Sequence, residues 1–155
     1  DDLISNKAAF NVLIWFASLV AMASGLQKVG VLTWIGTSTQ EMLSGLSPTA
    51  LILSLLVLFF ILHYLFASVT AHVTALIPIF MAIAINLLTP EQVIPFTIIL
   101  AGSLGVMGII TPYATGPSPI WYGAGYISQG RWWALGAIFG TLYLSVIILG
   151  AFIFI

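Results

Sequence analysis

The residues best placed to do chemistry form one short cluster, Ser68, Thr70, His72 and Thr74, within Ala67-Ser68-Val69-Thr70-Ala71-His72-Val73-Thr74. Apolar runs flank it, and no Asp, Glu, Lys or Arg occurs from Met42 to Pro90. Hydroxyls and an imidazole so far from water must find partners. Three neutral donors and one ring able to carry positive charge suit the holding of a carboxylate, and His72 is expected to supply that charge. A second polar interruption, Thr111-Pro112-Tyr113-Ala114-Thr115-Gly116-Pro117-Ser118-Pro119, lies about 40 residues on and holds three prolines in nine residues. Such a stretch cannot continue an α-helix. A single hydroxyl in an apolar helix ordinarily bonds the carbonyl one turn back, a lone His63 is ordinarily an interhelical contact, and a lone proline is ordinarily a kink. The weight therefore rests on the two breaks together. Broken helices within apolar sequence are the pattern of a secondary-transporter site, where half-helix N-termini face an anion and freed carbonyls face a cation. Thr70 or Thr74 is expected to cap the arm beginning near Ala75, and Ser118 the arm beginning near Pro119, with both sets of N–H donors facing a shared cavity.

The composition dictates the kind of solvent these elements meet. Of 155 residues, 61% are hydrophobic and 5% charged, and the mean hydropathy is +1.21. A soluble domain carries roughly 25% charged residues, so a polytopic all-α membrane protein is the expected class. Three basic residues, Lys7, Lys28 and Arg131, cannot form a phosphate-binding stripe, which excludes nucleic acid as a partner. The absence of Cys removes disulfides, thiolate metal sites and thiol nucleophiles. No metal site is expected either, because the carboxylates lie outside the apolar runs. On a continuous helix His63 and His72, nine residues apart, would also face opposite sides. An enzyme would need paired ionisable groups within the bilayer, which this charge-free core does not offer, and a purely structural subunit would need neither break.

Taken in order, the chain reads as follows. Asp2 or Ser5 caps a first span over 8–26, which is 19 residues without a charge and about the length of a bilayer core. Residues 28–45 mix apolar positions at helical spacing with many polar ones and are expected to form an interfacial helix, with Trp34 at headgroup level. Ser47 and Pro48 open a re-entrant hairpin over 48–88 whose tip is 68–74. The second arm, Ala75 to Leu88, makes only about 21 Å of helix. Thr89, Pro90 and Glu91 start a discontinuous helix over 91–127 with its loop at 111–118. Gly102, Gly105 and Gly108 are expected to form one smooth packing face on that helix. Ser128 to Arg131 make a surface turn flanked by Trp132 and Trp133 as an interfacial belt. The last span covers 132–155, with Gly136 and Gly140 as a small-residue contact. The sequence opens Asp1-Asp2-Leu3 without an initiator Met or a signal pattern, so a longer parent is expected.

At both breaks the chain resembles the divalent anion:sodium symporter family of di- and tricarboxylate transporters, in its second, C-terminal repeat. The hairpin reads Phe66-Ala67-Ser68-Val69-Thr70-Ala71 followed by Leu76-Ile77-Pro78. The second break reads Pro112-Tyr113-Ala114-Thr115-Gly116-Pro117, then Gly123-Ala124-Gly125. The resemblance covers essentially the whole chain. It implies a substrate site made of Ser68, Val69, Thr70 and His72 at the tip and Thr115, Gly116 and Pro117 opposite. It also implies a vestigial cation site around Tyr64, Ala67, Val69 and Ala114. Val69 stands where the family carries an Asn that serves cation and carboxylate alike, and Gly116 stands where it carries a Pro. Ser-Val-Thr resembles the exchanger branch, which includes bacterial citrate/succinate and tartrate/succinate antiporters and the plastid 2-oxoglutarate/malate translocator. The resemblance thus implies sodium-independent exchange of di- or tricarboxylates by alternating access, with no cofactor. The alternative in the same class is sodium-coupled symport. It further implies a multi-pass protein of the inner membrane, a homodimer, and a preceding inverted repeat that these 155 residues do not contain.

Overall fold

The computed structural model describes residues 7–154; the expected caps Asp2 and Ser5 lie outside them. All regular structure among the described residues is helical. Helix α1, Lys7–Lys28, takes the place of the expected first span. It ends where Gly30 turns at φ +80, a conformation that glycine adopts without strain. Helix α2, Val31–Leu43, fills the interfacial stretch. Its buried residues Leu32, Gly36 and Leu43 face the bundle while Trp34 is exposed.

Helix α3, Pro48–Leu62, starts as its sequence dictates, with Pro48 in the first turn and the Ser47 hydroxyl accepting from the Ala50 amide at 3.5 Å. A 3-10 turn, His63–Leu65, follows it. The chain is extended at Phe66 and Ser68, and helix α4 then runs Val69–Leu87. The interruption is therefore shorter than 68–74. Thr70, His72 and Thr74 are helical, and the cap is Ser68, whose hydroxyl accepts from the Ala71 amide at 3.3 Å. One extended residue with a capping oxygen is enough to restart a helix, so the later hydroxyls are not needed as caps. The second arm is accordingly 19 residues rather than 14, about 28 Å long. It runs through Pro78, which leaves the Thr74 carbonyl without its usual donor.

Helix α5, Pro90–Ser103, begins as expected, and the Thr89 amide donates to Gln92 Oε1 at 3.1 Å. The break after it comes earlier than the proline cluster. The chain leaves the helix at Leu104, passes through Gly105 at φ +87 and makes a 3-10 turn over Val106–Ile109. Gly102, Gly105 and Gly108 thus form no continuous helical face, because a left-handed Gly105 ends the helix between them. After an irregular stretch from Ile110 come a short helix α6, Ser118–Gly123, and a long one, α7, Gln129–Phe154. By length and composition four segments among the described residues can cross a membrane: Pro48–Leu65, Val69–Leu87, Pro90–Ile109 and Gln129–Ile153.

The core is built on α3, which buries Leu51, Ile52, Leu55, Leu56, Phe59 and Phe60 against α4, α5 and α7. Phe59 meets Phe80 of α4 edge-on at 5.3 Å. Glycines set the close approaches, and three of them seat helices. A Cβ on Gly36 would stand 2.7 Å from Ile79 Cγ2, which seats α2 on α4. On α7 a Cβ at Gly136 would stand 2.7 Å from the Ile110 carbonyl oxygen, and one at Gly140 would stand 2.9 Å from Ile110 Cγ2. The expected small-residue contact is therefore present, and it receives the backbone of the second break.

Candidate functional site

The two breaks meet at Gly108. A Cβ there would lie 2.7 Å from the Thr115 methyl and 3.6 Å from a Val69 methyl, so hairpin tip and opposing loop touch the same glycine. Around this point Ser68, Val69 and Thr115 are half-buried, while Thr70, Gly116 and Pro117 are exposed. Of the seven expected substrate residues, Val69 and Thr115 meet at Gly108, and Ser68, Thr70, Gly116 and Pro117 adjoin them in sequence. The seventh, His72, is fully buried.

The tip presents helix-terminal donors. Ser68 takes the Ala71 amide with its hydroxyl and the His72 amide with its carbonyl, at 3.3 and 3.0 Å. The N–H groups of Val69 and Thr70 remain at the positive end of a 19-residue helix, an anion-binding arrangement. Opposite them, Thr115 and Ser118 bond through their hydroxyls at 2.6 Å, and the Ser118 amide donates to Thr115 Oγ1 at 3.3 Å. Ser118 is therefore the first residue of α6 rather than its cap, and the capping oxygen belongs to Thr115. Helix α6 has only 6 residues. Aligned peptide dipoles sum over length, so it adds little field at this face. Two cavities lie near the breaks. One cavity of about 350 Å³ lies between α7 and the break, beside Ile109 and Phe139, and one of about 480 Å³ lies between α1 and Tyr64, Ala67 and Tyr113; Ser68, Thr70 and Thr115 line neither.

His72 points into the bundle, fully buried. Its ring stands edge-on to Phe59 at 4.4 Å, Phe66 at 5.1 Å and His63 at 4.9 Å. The two histidines are therefore neighbours, contrary to the opposite facing expected on a continuous helix. The turn at Phe66–Ser68 folds the second arm back and stacks residue 72 on residue 63. Among the described residues both ring nitrogens of His72 lack a hydrogen-bond partner, as does Nδ1 of His63. No group of three or more His, Cys, Asp or Glu is placed to hold a metal ion among them.

Of the expected cation-site residues Tyr64, Ala67 and Ala114, two carbonyls, those of Tyr64 and Ala114, already accept protein hydrogens. His63 Nε2 lies 3.0 Å from the buried Ala114 carbonyl oxygen. A carbonyl can only accept, so the ring donates and carries a proton on Nε2. One residue along on each side, the Tyr113 hydroxyl donates to the Tyr64 carbonyl at 3.0 Å. Trp133, expected in an interfacial belt, is half-buried and packs on the same group, parallel to Tyr64 at 6.2 Å and edge-on to Tyr113 at 6.3 Å. Gly108, Tyr113 and Trp133 did not stand out as site residues in the sequence, and His63 read only as an interhelical contact. An imidazole inside an apolar run is the one available signal, and it does not name its acceptor.

The transmembrane region of the sodium:sulfate symporter family matches residues 1–154. L-tartrate/succinate antiporters from Escherichia coli (strain K12), Shigella boydii serotype 4 (strain Sb227) and Shigella flexneri are each 47% identical over 150 residues. Those residues are 96% of this chain and 30% of each relative, so the chain spans about a third of the length of the curated relatives it matches.

Proposed function

The chain belongs to the sodium:sulfate symporter transmembrane-region family, and from that premise we propose that it forms part of a secondary transporter exchanging dicarboxylates by alternating access, independently of sodium. It is a multi-pass membrane segment of a transporter family, not an enzyme. The finer reading is carried by the junction at Gly108. There Val69, in the first turn at the positive end of α4, and Thr115 of the opposing loop meet across one glycine, and no acidic side chain stands within either break to repel an anion. Neutral amide and hydroxyl donors on two opposed segments suit the two ends of a dicarboxylate. The identity to L-tartrate/succinate antiporters supports succinate and L-tartrate as first substrates to try, and citrate stands behind them.

Sodium independence draws support from the carbonyls. Tyr64 and Ala114 sit where a helix break frees acceptors, and both already receive protein hydrogens, from Tyr113 and His63. Each accepted bond lowers what a cation could gain there. The site His72 was expected to charge is served by helix-terminal amides instead. An inner-membrane location, a homodimer and a preceding inverted repeat complete the reading.

Counterflow in proteoliposomes of the full-length parent tests it. With internal succinate and external labelled L-tartrate, uptake should require the internal dicarboxylate and be unchanged when sodium is replaced by choline. Uptake from empty vesicles driven by a sodium gradient would establish the symporter reading instead.

A further inference from the structure

The hydrogen bonds His63 Nε2–H to Ala114 O and Tyr113 Oη–H to Tyr64 O form a crosswise pair: two adjacent hairpin residues bond two adjacent loop residues, side chain to backbone in each direction, at 3.0 Å each. The loop also makes local hydrogen bonds. Ala114 N bonds Thr111 O, Tyr113 N bonds Thr111 Oγ1, and Ser118 N bonds Thr115, each within three residues. The crosswise pair, by contrast, spans 51 and 49 residues of sequence and ties the loop to the hairpin. Both ends are braced, His63 by the edge-on ring of His72 and Tyr113 by Trp133. Ala114 directly precedes Thr115, and Tyr64 lies four residues before Ser68.

We propose that His63 and Tyr113 are positioning residues, a reciprocal clamp that fixes the spacing between the hairpin tip and the opposing loop and thereby sets affinity for a dicarboxylate gripped between them. The role in affinity rests on the transport reading above, whereas the clamp itself does not. A ligand held at both ends needs its two gripping segments in register before it arrives, and loose segments must be ordered at the expense of binding. Because each bond uses a backbone acceptor, removing the donor leaves a carbonyl unpaired while the acceptor's residue is unchanged; the Ala114 carbonyl is buried and the Tyr64 carbonyl lies in an exposed residue.

Two readouts on the full-length parent test this. The first uses no substrate: Gly116→Cys, at a position where a Cβ meets nothing within 4 Å, is alkylated with a soluble maleimide in otherwise cysteine-free purified protein. Adding Tyr113→Phe, which removes one hydroxyl, should speed alkylation severalfold. The second is counterflow with succinate. His63→Phe should raise KM about five- to tenfold, the size expected of one buried hydrogen bond left unmade, and Tyr113→Phe, whose bond is exposed, about two- to fivefold, each with little change in Vmax. The double variant should do little more than His63→Phe alone, since the bonds act as a unit. His63→Gln, which returns an N–H near the Nε2 position, should recover most of the affinity. Unchanged alkylation and unchanged KM in Tyr113→Phe overturn the proposal, as does a lowered melting temperature with wild-type KM, which marks packing alone. Should His63→Phe fail to fold, the Tyr113 pair of measurements still decides. If the wild-type parent exchanges no dicarboxylate, the transport reading falls and the alkylation rates alone judge the clamp.

Discussion

Replacing Gly136 with Ala sets two opposing effects against each other, and the structure gives the winner. In a helix interior Ala is favoured over Gly by about 1 kcal/mol. At Gly136, however, the new methyl would stand 2.7 Å from the Ile110 carbonyl oxygen and 3.1 Å from that of Ile109, and ordinary contact begins at 3.4 Å. The obstacle is backbone, so it cannot rotate away: helix α7 or the second break must retreat by about 0.7 Å. Overpacking of this kind costs about 1–3 kcal/mol, which exceeds the helical gain and leaves a net loss of up to about 2 kcal/mol. Gly150, on the same helix with nothing within 4 Å, has only the gain. Gly140 falls between, since its obstacle at 2.9 Å is a side-chain methyl of Ile110, Cγ2, rather than backbone. Thermal unfolding of the purified parent followed by tryptophan fluorescence should therefore rank the variants Gly150→Ala, Gly140→Ala, Gly136→Ala from most to least stable, with wild type above Gly136→Ala. The same Gly136→Ala change should raise KM in counterflow, because Ile110 leads into the loop that carries Thr115. If Gly136→Ala melts at or above wild type with unaltered KM, the claim that α7 seats the second break against its backbone is wrong.

Three further outcomes follow from the same geometry. Ser68→Ala should destabilise by about 1 kcal/mol through loss of the α4 cap; Ser68→Asp should restore melting, because Asp also caps, yet reduce succinate affinity tenfold or more by placing a negative charge beside the amides of Val69 and Thr70, as isothermal titration would report. Gly108→Ala drives a methyl to 2.7 Å from Thr115 Cγ2, and rotating Thr115 to relieve it breaks the 2.6 Å bond to Ser118, so KM should rise severalfold while expression is kept; an unaltered KM would show that tip and loop do not grip through this junction. Combining His63→Phe with Tyr113→Phe frees two carbonyls, and sodium, but not choline, should then recover part of the lost affinity; a sodium response already present in wild type would contradict the reading of those carbonyls as satisfied.

The existence of both breaks was legible because their signals are negative ones: prolines that cannot continue a helix and hydroxyls stranded in apolar sequence. Their extents were not. Thr70, His72 and Thr74 resemble a polar interruption, but Thr and His are tolerated inside a helix, and only the extended backbone at Phe66 and Ser68 breaks it. Gly105 was misread for a similar reason. Glycine at a three-residue interval has the spacing of a packing face, and nothing local distinguishes that from a single left-handed residue ending the helix. The separation of His63 from His72 was inferred from helical period, which is valid only where the helix is continuous; the turn between them reverses the conclusion. The bond from His63 to Ala114 spans 51 residues and ends on a carbonyl that every residue possesses, so no residue type marks it.

The seating of Ile109 and Ile110 against Gly136 also has a consequence for how the chain is made. The second break leaves the ribosome before the helix that covers it, and an irregular segment with uncovered carbonyls is poorly tolerated by lipid. Until α7 enters the bilayer, Ile109 and Ile110 at the head of the loop lack the glycine surface of that helix, so insertion of α7 is expected to act as a checkpoint in biogenesis. A nascent chain ending before Gly136 should be recognised as unassembled and degraded, and one ending after Gly140 should begin to escape that surveillance.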